Sequence, residues 1–229
     1  MTAAAANLHA RTGHTGGNGS LMRTSPVALA HLGDPRRVTT AAEAIPALTH
    51  TDERAGQACV LWSQAIRQAV LDVRVGLPYL PDDARDFWAA CIDEAEAQDP
   101  PTFRRNGYVV TALQAAWSAI HHTPVPDHLP GLHLQHALDS AIRIGNDTDT
   151  VAAIAGGLLG ARWGASAVPA EWRKIVHGYP GRTATDLVEA ATMAVRGRRF
   201  GFSGLNLSSD VSAQTCESPL KGSTNGHVH

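Results

Sequence analysis

Residues 145–161 read GNDTDTVAAIAGGLLGA, a turn of acidic and hydroxyl side chains followed directly by the most apolar run of the chain. The apolar run, residues 151–161, is about half as long as the ~20 residues that a membrane-spanning helix needs. It continues to Trp163 without a proline. We therefore predict a helix over residues 151–163, too short to cross a membrane, with oxygen-bearing side chains at its start.

The surrounding sequence, from Leu21 to about Arg199, has no sustained alternation of apolar and polar residues. Apolar residues instead recur at steps of three and four between residues 55 and 73, after a helix-start signal at 51–53. These patterns favour helices over strands. Further helices are predicted at residues 41–48, 81–95, 107–120, 132–144, 171–177 and 185–195. About eight helices of modest length predict an all-α globule larger than a four-helix bundle.

Composition limits the kind of protein this can be. With 44% hydrophobic and 17% charged residues, the chain has enough apolar surface to fold. Nineteen basic and 21 acidic residues nearly cancel, which argues against binding of nucleic acid or of an anionic membrane. The cysteines at 59, 91 and 216 fit neither a disulfide framework nor a zinc site, and no signal peptide opens the chain. We expect a cytoplasmic protein.

Three regions differ in character along the chain. Residues 1–15 are small and polar without periodicity, and we expect a flexible leader there. Residues 16–199 carry the helical patterns and form the predicted domain. Residues 200–229 are rich in Ser and Gly with few bulky apolar side chains, which predicts a disordered tail that is dispensable for folding.

The turn before the apolar helix is the first candidate site. Asp147, Asp149 and Thr150 offer three hard oxygen ligands within four residues, and such donors suit Mg²⁺, Mn²⁺ or Ca²⁺ better than zinc or copper. Aspartate and threonine are also the usual residues at the start of a helix, where they cap free amides and oppose the helix dipole. The residues alone leave both interpretations open.

The second candidate is the glycine-rich segment at residues 16–23, GGNGSLMR. A glycine turn running into a helix presents amide groups to a phosphate, and Arg23 adds a positive charge, although a flexible linker has the same composition. His50 and Tyr108 each lie next to a predicted helix start, where a histidine is commonly a cap or a packing residue. Neither residue identifies a reaction by itself.

Together, in this order, these segments resemble the ADP-ribosylglycohydrolase family, whose members remove ADP-ribose from modified proteins. The resemblance extends over about residues 16–197, the C-terminal two-thirds of the family domain. It rests on residues 17–23 with Pro26, 49–52, 107–117 and 145–161, and on Pro169, Trp172, His177 and Gly178.

The resemblance implies an orthogonal all-α bundle around a cleft with two metal ions, Mg²⁺ or Mn²⁺, and ADP-ribose or an ADP-ribosylated protein as partner. One half of the metal site would be Asp147, Asp149 and Thr150. The ADP-ribose site would be lined by Asn18, Gly19, Ser20 and Met22, with His50 and Tyr108 in contact with the ligand. Asn146 stands where the family usually has glycine, a departure that would alter the backbone of the turn.

The other half of the family's metal site, a Thr-Asp-Asp-Thr block, lies well upstream of the Asn-Gly-Ser loop, as does an acidic catalytic residue. Only 17 residues precede Asn18 here, and none is Asp or Glu. We therefore expect an N-terminally truncated chain with one half-site, which hydrolyses the bond between ADP-ribose and a protein side chain slowly at best. The alternatives are a non-catalytic ADP-ribose-binding or structural protein, and a degenerate fragment unable to fold alone.

Overall fold

The all-α prediction is confirmed. The computed structural model describes residues 7, 10–11, 16–71 and 80–197, and those ranges contain nine complete α-helices and a two-stranded hairpin. The helices are α1 (Ser25–Ala30), α2 (Pro35–Ala44), α3 (Glu53–Leu71), α4 (Asp82–Ala97), α5 (Val109–His121), α6 (Leu132–Arg143), α7 (Thr148–Trp163), α8 (Ala170–Ile175) and α9 (Ala184–Val195). The hairpin pairs β1 (His177–Gly178) with β2 (Arg182–Thr183).

Helix α7 lies at the centre of the domain and packs against α3, α5 and α6. A helix with neighbours on several sides buries more than one stripe of side chains, which explains why residues 151–161 are apolar without a polar face. Gly157 permits the close approach of α1, because a Cβ there would lie 2.3 Å from Ser25 Oγ. The central position of α7 fixes its acidic first turn relative to the rest of the domain.

Trp62 joins three of these helices. Its indole is 2% exposed and donates a 3.0 Å hydrogen bond from α3 to the main-chain oxygen of Ile154 on α7. The ring also meets Trp117 of α5 edge to face, with 6.4 Å between centroids. Such a pair adds to the apolar burial that holds the helices together.

The predicted helix at residues 41–48 is wrong in its start and in its end. Helix α2 begins at Pro35, with Asp34 accepting hydrogen bonds from the amides of Arg36 and Arg37. The predicted start rests on Thr39 and Thr40 as caps. An aspartate followed by proline is a stronger start signal, because it supplies both the cap and the fixed φ of the first turn. The last predicted residues, Pro46–Leu48, form a separate 3₁₀ turn.

Two other boundaries also differ from the prediction. Helix α7 begins at Thr148 rather than at residue 151, so Asp149 and Thr150 belong to the helix itself and Asp147 directly precedes it. Helix α8 ends at Ile175, and His177 lies in β1 instead. The hairpin was not predicted because strands of two residues are too short to produce alternation.

His133 has no convincing partners for a metal site in the sequence, which predicts a place at the surface or at a helix end. It does lie at the start of α6, but it is buried, at 6% exposure. The Trp163 indole donates to its Nδ1 at 3.1 Å, and its Nε2 lies 3.2 Å from the Ile120 oxygen. Since Nδ1 accepts, Nε2 carries the proton and donates. The imidazole links α5, α6 and α7.

Some predictions concern residues that the structure does not describe. Most of the predicted leader and all of the predicted tail at 200–229 lie outside the described residues. So does the Gly-Leu-Pro sequence at 76–78, which predicts the end of the helix that begins at 51–53. Among the helices that the structure does describe, none has the length and hydropathy needed to span a membrane.

Candidate functional site

The glycine turn is packed against the start of α5. Gly17 and Tyr108 form an antiparallel bridge, in which Asn18 N donates to Gly107 O at 3.2 Å and Val109 N donates to Gly16 O at 2.9 Å. A Cβ at Gly16 would lie 2.3 Å from a carboxylate oxygen of Asp52. The glycine is therefore required for close packing, and the flexible-linker interpretation is wrong for this turn.

Asn18 connects the glycine turn to the acidic turn, 129 residues away along the chain. Its side-chain amide donates at 2.7 Å to Asp147 Oδ2 and at 2.8 Å to the main-chain oxygen of Asn106. Asn18 is only 7% exposed. Two segments singled out separately in the sequence thus meet through a part-buried hydrogen bond.

Asp147 occupies the capping position of α7, but its side chain makes no capping hydrogen bond. The Asn18 amide instead holds the pKa of this carboxyl below its ordinary value, more strongly than partial burial raises it. Hydrogen bonding with Thr150 and Asp149 acts in the same direction as Asn18. The capping interpretation accounts for the position of Asp147 but not for the direction of its carboxylate.

The other two residues of the half-site lie on the first turn of α7. Thr150 is 7% exposed, and its hydroxyl donates to the sulfur of Met22 at 3.6 Å, while Asp149 is exposed. Met22 itself is 40% exposed. The structure therefore brings the sequence-predicted residues Asn18, Met22, Asp147, Asp149 and Thr150 to one place.

Asn106 is a site residue that the sequence did not identify. It is fully buried, and its side chain accepts from Asp147 N at 3.0 Å and donates to Gly145 O at 3.1 Å. The turn it holds has two successive positive φ angles, 91° at Gly145 and 61° at Asn146. Asparagine tolerates this left-handed conformation better than most residues, which explains how Asn146 replaces the expected glycine.

His50 and Tyr108 flank the glycine turn on its other side. His50 Nε2 would lie 3.7 Å from a Cβ at either Gly17 or Gly19, and its Nδ1 lies 2.8 Å from the Thr49 hydroxyl. Burial, and then the charge of Arg23, lower the pKa of His50. Tyr108 is 44% exposed, and burial followed by the charge of Asp52 raises its pKa.

Two charged residues beside the glycine turn, Arg23 and Asp52, are not among the site residues that the family resemblance implies. Arg23 donates to the Gly19 oxygen, which bends its guanidinium back over the turn. Asp52 caps α3 through the amide of Arg54, at 2.8 Å, while its second oxygen faces Gly16. A cavity of about 360 Å³ opens at Asp52, and His50 and Gln57 also line it.

Ser20 differs from its neighbours in the glycine turn because its side chain is 2% exposed and directed away from the solvent. It lies with Thr24 beside the thiol of Cys59. Burial raises the pKa of Cys59 to about 11, although these two hydroxyls oppose the shift. Any contact of Ser20 with a ligand would therefore come from its main chain.

A consequence is that Cys59 should resist alkylation. With a pKa of about 11, roughly one thiol in a thousand is ionised at pH 8, and only the thiolate reacts. We expect iodoacetamide to modify Cys59 at least ~100-fold more slowly in the native chain than in urea, as followed by mass spectrometry of the peptide. Equal rates in the two states would contradict this burial.

The donors at the acidic turn are two carboxylates and a hydroxyl, all hard oxygen ligands of the kind that Mg²⁺ and Mn²⁺ prefer. Within residues 16–71 and 80–197, no three His, Cys, Asp or Glu side chains are grouped so that they could hold a metal ion. The two carboxylates and the hydroxyl suit a hard divalent cation, but they supply only part of its ligand shell. The remaining ligands would come from water or from elsewhere.

The fold is helical, and its polar site joins the glycine turn to the acidic turn at the start of α7. The family model described as ADP-ribosylglycohydrolase matches residues 1–200, and the chain belongs to that family.

Two curated relatives agree with the family match. The chain is 30% identical over 120 residues to ADP-ribosylhydrolase ARH3 of Homo sapiens, a match that covers 49% of this chain and 33% of that protein. It is 27% identical over 161 residues to ADP-ribosyl-[dinitrogen reductase] glycohydrolase of Rhodospirillum rubrum, covering 68% of this chain and 49% of that protein. The matched regions thus span about a third of the first relative and about half of the second.

Proposed function

We propose that this chain provides the ADP-ribose-binding turn and one metal half-site of a metal-dependent ADP-ribosylglycohydrolase. The reaction is hydrolysis of the glycosidic bond between ADP-ribose and a protein side chain. The observation that carries the proposal is the 2.7 Å hydrogen bond from Asn18 to Asp147, which joins the glycine turn to the acidic turn. The names of the two relatives, both hydrolases of ADP-ribosyl groups, support the substrate class.

The glycine turn is suited to the diphosphate of ADP-ribose. Arg23 is bent over Gly19, and His50 approaches the same residue, so a guanidinium and an imidazole stand beside a turn without side-chain bulk. Guanidinium groups bind phosphate oxygens strongly, and glycine allows the phosphate to approach the backbone. The half-exposed ring of Tyr108 offers an adjacent apolar surface for a sugar or base.

The acidic turn is suited to the ribose end of the substrate. Mg²⁺ or Mn²⁺ would be held by Asp147, Asp149 and Thr150, and when bound it supplies electrostatic stabilisation of the ribose hydroxyls and of an incoming water. Departure of the protein side chain leaves positive charge on the anomeric carbon, which neighbouring carboxylates stabilise. Asn18 fixes the direction of Asp147 throughout.

A second function, binding of ADP-ribose without hydrolysis, is favoured by one observation. The described residues bring two carboxylates to the acidic turn, and no third His, Cys, Asp or Glu among them completes a metal-binding group.

We also propose a cytoplasmic location, which the free thiols of Cys59 and Cys91 support.

The half-site is tested by titrating the chain with Mn²⁺ in a calorimeter. We expect Asp147→Ala and Asp149→Ala each to weaken binding at least ~10-fold, since each removes one of few protein ligands. Asp139→Ala is the matched control, because Asp139 is an exposed carboxylate that pairs with Arg143 on α6. Unchanged affinity in both site variants would return these residues to a purely structural role in the helix start.

A further inference from the structure

We propose that Asn106 is a positioning residue that sets the direction of the Asp147 carboxylate toward the bound cation. The inference rests on the proposed metal half-site. Asn106 contacts no ligand in the proposed function. It acts on Asp147 through two separate sets of hydrogen bonds, called here the first and the second route.

The first route runs through the main chain of the acidic turn. The Asn106 amide oxygen accepts the Asp147 N–H at 3.0 Å, and its amide nitrogen donates to the Gly145 carbonyl at 3.1 Å. These bonds hold both ends of a turn whose φ angles are positive at Gly145 and Asn146. Because few residues adopt that conformation unaided, the clamp determines where α7 starts and where its first carboxylate leaves the backbone.

The second route runs through Asn18. The main-chain oxygen of Asn106 accepts one amide hydrogen of Asn18 at 2.8 Å, and the other goes to Asp147 Oδ2 at 2.7 Å. An amide nitrogen has two hydrogens, so both are used. Residue 106 thereby fixes the Asn18 side chain, and Asn18 in turn fixes the carboxylate.

An ordinary buried asparagine, satisfied by hydrogen bonds and important only for stability, would explain part of this geometry. Gln114 is such a residue and provides the comparison. It is a 6% exposed amide that donates to Cys91 O at 3.1 Å and to Glu94 at 2.7 Å, between α5 and α4. It makes no hydrogen bond to the acidic turn in the described part of the chain. Loss of Gln114 therefore reports the cost of removing a buried amide elsewhere.

The experiment compares Asn106→Ala and Gln114→Ala in the full chain, with Mn²⁺ alone as the probe. Partners that orient metal ligands contribute roughly 10–100-fold to metal affinity, and we expect a loss of that size in Asn106→Ala. Gln114→Ala should bind Mn²⁺ within about twofold of wild type, because the acidic turn is untouched.

A second readout needs no metal. Amide hydrogen exchange followed by NMR should show the Asp147 amide exchanging at least ~10-fold faster in Asn106→Ala, since its acceptor is gone. The Ile154 amide, within α7, should remain as protected as in wild type. A uniform change along α7 would indicate general destabilisation and overturn the positioning role.

The outcomes separate this inference from the proposed function. Wild-type binding of Mn²⁺ together with unchanged affinity in Asn106→Ala overturns the positioning role alone. A wild-type chain that binds no Mn²⁺ overturns the half-site and the inference with it. If Asn106→Ala does not fold, Asn18→Ala removes the side chain through which the second route reaches Asp147 Oδ2, and unchanged Mn²⁺ affinity in that variant overturns the inference.

Discussion

Release of ADP-ribose from a modified protein is expected to be at least ~10³-fold slower with this chain alone than with the chain combined with the N-terminal segment of a family member. A factor of that size corresponds to about 4 kcal/mol of transition-state stabilisation. The reason is that the described residues supply two carboxylates for the cation, and the matches span about a third of one relative and about half of the other. Ligands on one side of the ribose cannot hold the reacting group from both sides.

The measurement is ADP-ribose released in Mg²⁺ or Mn²⁺, with the segment fused or added in trans. Asp149→Ala in the combined protein is the control and should remain near the rate of the chain alone, since one ligand is lost. Rapid turnover by the chain alone would contradict the expectation. A combined protein that is folded and inactive would instead favour binding of ADP-ribose without hydrolysis.

Much of the fold could be predicted because helices leave a local signature in the sequence. The three- and four-residue spacing that begins at Ala55 predicts α3, and the helix begins at Glu53, the last residue of the predicted start signal at 51–53. Boundaries failed where two start signals competed, as at Asp34 and Thr39, since capping strength depends on a geometry that composition does not express. The two-residue strands of the hairpin were below the length at which any periodicity exists.

The residues of the candidate site could be selected from sequence, but their mutual contacts could not. Donor chemistry and family resemblance singled out Asn18 and Asp147 separately, yet their hydrogen bond spans 129 residues. Asn106 was overlooked because a lone asparagine before a glycine is typical of any turn. The position of Asn106 in the sequence did offer a signal, because it directly precedes Gly107 and Tyr108, which pair with the glycine turn.

The burial of individual polar side chains also could not be predicted from local sequence patterns. The sequence predicts His133 at the surface or at a helix end, and its position at the start of α6 fits the second, yet it bridges a main-chain oxygen and an indole in the interior. Whether a polar side chain is buried depends on which helices cross above it, and those crossings involve residues far apart in sequence. The glycine turn illustrates the converse, because its composition resembles a linker while Gly16 is buried.

Trp62→Ala is expected to lower the free energy of unfolding by about 3–5 kcal/mol, a large fraction of the 5–15 kcal/mol typical of a domain. The substitution empties a buried site at the junction of α3, α5 and α7 and leaves the Ile154 oxygen without the indole donor. Urea denaturation followed by circular dichroism measures the change. Trp172→Ala is the matched control, because Trp172 is 38% exposed on α8 and its loss should cost under about 1 kcal/mol. Equal losses in the two variants would contradict the central role of Trp62, and with it the packing that holds α7 and its acidic turn in place.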